Sequence, residues 1–480
     1  MNRFLKSYWI YFFSFVFIAI NSYLIANESF YFALIPFVLV LIFMALFNLD
    51  KLMWFVVFCA PFSLNLEELD IGGVGMYLPT EPLMFGIMIL FFLKLFHSGT
   101  MDMRIVYHPV TIAIIFNLVW IFITSLTSEM PVVSFKFLLS RMWFVTSFYF
   151  VALQLFKVEK NYRIFLWSYI IPLTAIILYA VIRLSTYSFD EKAGHWVMEP
   201  FFKDHTSYGA VVALYFPMLF LFINRRYSTY VRMFSYMLIV VFGLGLLFSY
   251  TRAAWVSVLL AGVLFLIYKY RIKFKYLLGV GVFGILVLAI SWTSIMMKLE
   301  KNNQDSSGNI SEHVESISNV STDASNLERL NRWSSAWRMF KERPLFGWGP
   351  GTYVFQYAPF QLSYNATIIT TNAGSNGNAH SEYIGPLAES GFIGMISVLL
   401  ILIAVYYRGS MRYHKLPEGE FKSVLLFSLI SLLTYVVHGF LNNYLDTDKV
   451  SIPFWGLIAL IVAIDIYHSK ENELLDSKTS

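Results

Sequence analysis

Apolar positions fall in long runs separated by short polar connections. A helix needs about 20 apolar residues to cross a hydrocarbon layer of roughly 30 Å, because lipid offers no partner for unpaired peptide groups. Fourteen runs meet or approach that length: 7–25, 29–48, 52–64, 77–96, 109–126, 134–156, 164–184, 204–223, 233–250, 253–268, 277–297, 384–407, 422–440 and 449–467. The third is short and interrupted by Pro61, as a re-entrant segment would be. The pattern predicts an all-α fold, a polytopic membrane bundle of about 12–14 transmembrane helices. It divides the chain into membrane helices over 1–297, a long polar segment over 298–383 carrying short helices, and three further spans with a tail over 384–480.

Composition agrees with this pattern. The 480 residues are 58% apolar, 19% aromatic and only 14% charged, against roughly 45–50% and 25% for apolar and charged residues in soluble domains. One cysteine, Cys59, excludes a disulfide scaffold and a cysteine-ligated metal site. The positive charge is unevenly placed. Alternate connections hold clusters such as Arg225, Arg226, Arg232 and Lys269, Arg271, Lys273, Lys275, whereas the intervening short ones hold only Lys192, Lys203, Arg252 and Lys449. Short cytoplasmic loops retain Lys and Arg, so both termini are expected in the cytoplasm and the long 298–383 segment on the opposite side. The basic start of the first run lacks a small-residue cleavage site, which reads as an uncleaved anchor.

The long segment begins with a stretch from Lys301 to Ser325, rich in Ser, Asn and Asp, that cannot bury a core and is expected to be a tether. A helix is predicted over 326–343, with Leu327, Leu330, Trp333, Trp337 and Phe340 on one face, Arg329, Arg332, Lys341 and Arg343 on others, and Pro344 ending it. Composition alone reads this as an interfacial helix lying on the bilayer. The glycines of Pro344-Leu-Phe-Gly-Trp-Gly-Pro-Gly351 permit either a plain tight turn or a cradle of backbone N–H groups for an anion. His380, in Asn378-Ala-His-Ser-Glu382, stands where the chain returns to the membrane; it is a candidate base, although a lone histidine more often has a structural role. His195, His205, His313 and His438 are the other histidines on or near that side.

Charges inside or beside the spans ask for a reason. Arg252 lies at the junction of two spans with no carboxylate near it in sequence, and Arg141 and Lys136 lie within the sixth span. Snorkelling accounts for some such residues. Guanidinium groups also bind phosphate in a bidentate fork, so a cluster of them suits a diphosphate head group.

Thr251-Arg252-Ala253 at a span start, the helix with Arg329 and Trp333 running into Pro344–Gly351, and Ala379-His380-Ser-Glu-Tyr followed by Leu387-Ala-Glu-Ser-Gly-Phe-Ile-Gly394 together resemble the O-antigen ligase and O-antigen polymerase superfamily. The resemblance covers mainly residues 205–400 and includes His205-Thr-Ser-Tyr-Gly209; Ser381 stands where the family commonly has Asn. It implies a membrane glycosyltransferase of GT-C type in the bacterial inner membrane. Such an enzyme moves a glycan from undecaprenyl diphosphate to an acceptor hydroxyl on the periplasmic face, without cofactor or metal and without a nucleic-acid partner. Arg252 and Arg329 are then expected to bind the diphosphate and His380 to orient or deprotonate the hydroxyl, with Arg332, Glu382, Arg141, His205 and His438 as secondary candidates. The acceptor is lipid A core for a ligase and a second lipid-linked repeat for a polymerase. A flippase for the same lipid needs arginines too, but predicts paired repeats and broken helices near the bilayer midplane.

Overall fold

The computed structural model describes residues 2–66, 75–99, 101–272, 324–362 and 377–468. The eleventh run, 277–297, and the stretch from Lys301 to Asp323 lie outside the described residues. Two units are distinguished, Met1–Phe55 and Val56–Ser480. The first carries helices α1 (Asn2–Ala26) and α2 (Ile35–Phe47) and most of α3 (Leu49–Cys59). Its apolar side chains, among them Phe15, Tyr23, Leu39 and Phe47, are largely exposed, as a lipid-facing surface requires.

The second unit continues through α4 (Thr80–Ser98), α5 (Pro109–Leu126), α6 (Pro131–Leu155), α7 (Glu159–Ser185), α8 (His205–Leu219), α9 (Thr229–Leu247), α10 (Arg252–Lys269), α11 (Ala324–Glu342), α12 (Ile384–Lys415), α13 (Glu420–His438) and α14 (Asp448–Tyr467). Its two-residue strands Leu64–Asn65 and Tyr77–Leu78 pair antiparallel. Ten helices among the described residues are long and apolar enough to cross a membrane. The protein is thus an all-α, multi-pass membrane bundle. The runs 29–48, 52–64 and 204–223 are shorter as helices than as apolar stretches: the first opens with a 3-10 turn, the second ends at Cys59 before a 3-10 turn holding Pro61, and the third ends at Leu219, just past Pro217. In α6 the α pattern loosens to a π turn over Thr146–Val151.

Packing makes α14 the centre. Every residue from Asp448 to Ile466 is buried, and α6, α12 and α13 pack against it. α8 lies between α9, α10 and α13, while α5 and α11 both pack on α12. α12 is broken at Gly391, whose φ of 71° lies in the left-handed region that glycine alone adopts without strain. A Cβ there would sit 2.1 Å from the Leu345 carbonyl oxygen. The break lets the Pro344–Gly351 turn dock: the N–H of Phe392 donates to Pro344 O, those of Trp348 and Gly349 donate to Ala388 O and Glu389 O, and Trp120 Nε1 donates to Ser390 O at 2.8 Å. The glycine turn therefore spends two of its N–H groups on α12, so the plain-turn reading holds for them and the anion cradle does not.

Candidate active site

One end of the bundle gathers the residues singled out from the sequence. It is formed by the N-termini of α8, α10, α12 and α14, the C-terminus of α13, and α11 packed on α12. Each element delivers its side chain for a local reason. Asp204 caps α8, accepting from the N–H of Ser207 at 2.7 Å and from Thr206 Oγ1 at 2.7 Å. Thr251, at the start of α10, donates from Oγ1 to His205 O at 2.9 Å and so ties the two helix starts together. Gly209 allows the approach, since a Cβ there would stand 2.8 Å from Thr251 Oγ1. Arg252 is thereby fixed as the first residue of α10, where the helix dipole is positive and a cation is disfavoured unless an anion joins it.

α11 inverts the expected arrangement. Its buried face is Glu328, Arg332, Ser335, Ala336 and Met339, whereas Trp337 is half exposed and Leu330 and Trp333 are only partly covered. The physical reason is tertiary packing: Ala336 and Met339 join Tyr353, Tyr357 and Ala388 in a small apolar core, and Glu328 and Arg332 are buried beside it as a pair. Arg332 Nε pairs with Glu328 Oε1 at 2.8 Å, its Nη1 donates to Asn378 O at 3.0 Å, and its guanidinium lies 5.3 Å from the Tyr357 ring centroid. Arg332 thus clamps the segment that bears His380. Arg329, three residues earlier, donates from Nε to Leu441 O at 3.2 Å in the turn between α13 and α14.

His380 has a φ of 49°, uncommon for a residue with a Cβ, and its N–H donates to Asn378 Oδ1 at 3.1 Å. Burial, reinforced by the positive charges of Arg332 and Arg329 and opposed by Asp204, lowers its pKa to about 3. The imidazole is therefore neutral at neutral pH, with a lone pair available. Arg252 and Arg329 both bear electrostatically on His205, whose ring stacks on His195 with centroids 4.1 Å apart. His438 is fully buried; its Nε2 accepts from the Asn442 side-chain amide at 3.1 Å and its Nδ1 has no partner.

Arg252, Arg329, Arg332, His205, His380 and His438 are therefore linked through common neighbours at one end. Glu382 and Arg141 play another part. Glu382 Oε1 accepts from Tyr435 Oη at 2.5 Å and from the N–H groups of Tyr444 and Leu445 at 2.8 and 2.9 Å. It fastens the turn after α13 and is neither a surface carboxylate nor hydrogen-bonded to His380. Arg141 donates from Nη1 to Leu445 O at 3.3 Å on the far side of the same turn. Four residues were missed from the sequence: Asp204, Asn378, Asn442 and Tyr444, the last hydrogen-bonded to Thr206. The polar run Asn442-Asn-Tyr-Leu-Asp446 between two spans is the signal that marks the last two.

No curated protein matches the chain. Residues 237–399, which hold Arg252, Arg329, Arg332, His380 and Glu382, match the family model described as O-antigen ligase. The match covers about a third of the chain and supports its likeness to the O-antigen ligase and polymerase superfamily over that segment.

Proposed function

We propose that the protein transfers a glycan from undecaprenyl diphosphate to an acceptor hydroxyl at the periplasmic face of the bacterial inner membrane, as a ligase with lipid A core as acceptor. The observation that carries this reading is the gathering of Arg252 and Arg329 about the half-buried His205 and His380 at one bundle end, with Arg252, Arg329 and His380 inside the segment that matches the family. Arg252 and Arg329 hold the diphosphate. His380 takes the proton from the acceptor hydroxyl as its oxygen bonds to the anomeric carbon, and the electron pair of the breaking C–O bond leaves on the diphosphate. General base assistance of this kind contributes on the order of 10²–10⁴ in rate. Preorganised guanidinium groups stabilise the charge that develops on the leaving group.

Binding of the donor also tunes the base. A diphosphate offsets the fields of Arg332 and Arg329 on His380, so the imidazole gains basicity when the donor arrives. An apolar groove of about 490 Å³, lined by Phe216, Phe220, Val258, Phe265 and Phe427, runs between α8, α10 and α13. Val258 and Phe265 stand roughly 9 and 20 Å below Arg252 along the helix axis, so the groove suits the isoprenoid tail of a head group held at the arginines.

The test is reconstitution in proteoliposomes with a lipid-linked glycan and two acceptors, lipid A core and a second carrier-linked repeat. Transfer to the first alone is expected. A ladder built on the second identifies a polymerase, and no transfer to either overturns the transferase reading. Arg252→Ala and His380→Ala are expected to lower transfer at least 100-fold, in line with the loss of a base or of a leaving-group donor, with insertion unchanged.

A further inference from the structure

Beside the histidine cluster, α6, the start of α12 and the turn after α13 enclose a cavity of about 240 Å³ that the chemistry above does not use. At roughly 30 Å³ per water this is room for about eight waters or one sugar ring. Arg141, Glu382, Glu389 and Asp446 line it. Their protein partners leave hydrogen-bonding capacity over. Arg141 uses Nη1 on a backbone carbonyl and lies 5.3 Å from the Phe137 ring centroid, Glu382 uses only Oε1, and Glu389 accepts from the N–H of Tyr353 at 3.0 Å and from that of Gly351. Asn443, also on the wall, has a buried Oδ1 with no partner. A smaller cavity of about 60 Å³ shares Phe137, Arg141, Glu382 and Glu389 with it and extends the space along α12.

Three carboxyl groups beside one guanidinium supply acceptors and few donors, so a second phosphate does not fit. Among the described residues these acids do not converge as metal ligands. Acceptor oxygens, one multidentate donor and an aromatic ring at the edge are instead the groups that recognise a neutral polyol, whose hydroxyls donate and accept while its C–H face lies on a ring. The wall is continuous with the site: Asn378, Ala379 and Ser381, which flank His380, line the cavity, and the Asn378 carbonyl is the group held by Arg332.

We propose that this cavity is a sugar-binding subsite in which Arg141, Asn443 and Asp446 read the hydroxyls of a pyranose ring next to the reacting centre. The proposal rests on the transferase reading. The ring belongs either to the acceptor glycan or to the glycan on the carrier, and the two arms of the test separate these sources. Initial rates are measured in proteoliposomes for the wild-type chain, Asp446→Asn, Arg141→Gln and Val133→Trp, the last filling the cavity without removing a charge. Each substrate is varied in turn.

A rise of about tenfold or more in one KM, the weight of one lost hydrogen bond to a charged group, with the other KM within about twofold, is expected. A rise in the acceptor KM assigns the ring to the acceptor, and a rise in the donor KM to the carried glycan. Both KM values unchanged in all three variants overturn the proposal. A second readout needs no turnover: calorimetric titration of the purified full-length chain with deacylated core oligosaccharide and with the glycan released from its carrier. Wild type and Arg252→Ala are expected to bind one of them alike, with Asp446→Asn and Val133→Trp weaker by about tenfold. Equal binding by all four, or binding of neither sugar, refutes the subsite. An inactive wild type that still binds sugar in this way sinks the transferase reading and leaves the subsite standing.

Discussion

At His380 a backbone in the left-handed region and a desolvated ring meet in one residue. Such strain, of order 1–3 kcal/mol, persists where the surroundings over-determine it, here through Asn378 and the Arg332 clamp. The linkage follows from the pKa. The ordinary imidazole value is about 6.5 and the folded value is about 3. Between these values the unfolded chain binds a proton that the folded chain refuses. Stability is therefore complete above about pH 6.5 and is lost as pH falls towards 3. The fall in thermal midpoint from pH 7 to pH 4, measured in detergent, is expected to be smaller in His380→Gln than in wild type; an equal fall refutes the assignment. Arg332 acts through position. Arg332→Ala leaves Glu328 buried without its cation, and a loss of about 3–5 kcal/mol in stability is expected, with Arg332→Lys recovering part of it.

At the scale of elements, two features place the site. α11 turns its Glu328–Arg332 pair inward, and α12 breaks at Gly391 to receive the Pro344–Gly351 turn. The break lies in the second turn of α12, close to the site end. Gly391→Ala forces a Cβ to 2.1 Å from Leu345 O at a φ of 71°; a cost of at least 1–3 kcal/mol is expected. Gly243→Ala, with nothing within 4 Å of the added Cβ, is expected to be neutral or mildly stabilising. Thermal denaturation of both variants distinguishes a required break from a tolerated glycine. Gly262, on the apolar groove, also has open space around it. Gly262→Trp is expected to raise the KM for a full-length isoprenoid donor about tenfold while a donor with a two-isoprene tail is used as by wild type; equal effects on both donors refute the tail groove.

For the molecule as a whole, the decisive fact is that α14 is enclosed by its neighbours along nearly its full length. Lipid is as apolar as a leucine side chain, so packing complementarity stabilises such a centre more than transfer from water does. Ile461→Ala, at a site 1% exposed, is expected to cost about 2–5 kcal/mol through the cavity it leaves. Leu259→Ala, at a site 71% exposed, is expected to cost little. Comparable losses at both positions would show that α14 is not central. The other end of the bundle is held by charge: Asp465 takes ion pairs from Arg408 at 2.7 Å and Arg412 at 2.5 Å and contacts His108 Nε2 at 3.1 Å.

The all-α membrane class and the positions of most spans were legible in the sequence. Apolar length is a local property, and lipid demands it of any segment that crosses. Arg252 stands out in the sequence because a charge beside an apolar run is costly, whereas Arg329 and His380 are singled out through the family resemblance. What α11 buries, where α12 breaks, which helix is central and what Glu382 holds were decided by tertiary packing. Glu382 and His380 are two residues apart, yet one fastens the turn after α13 and the other lies under the arginines. Hydropathy is nearly blind to such choices, because a span facing lipid and a span facing protein carry the same apolar side chains. The difference lies in the partners that meet, through contacts between residues hundreds of positions apart.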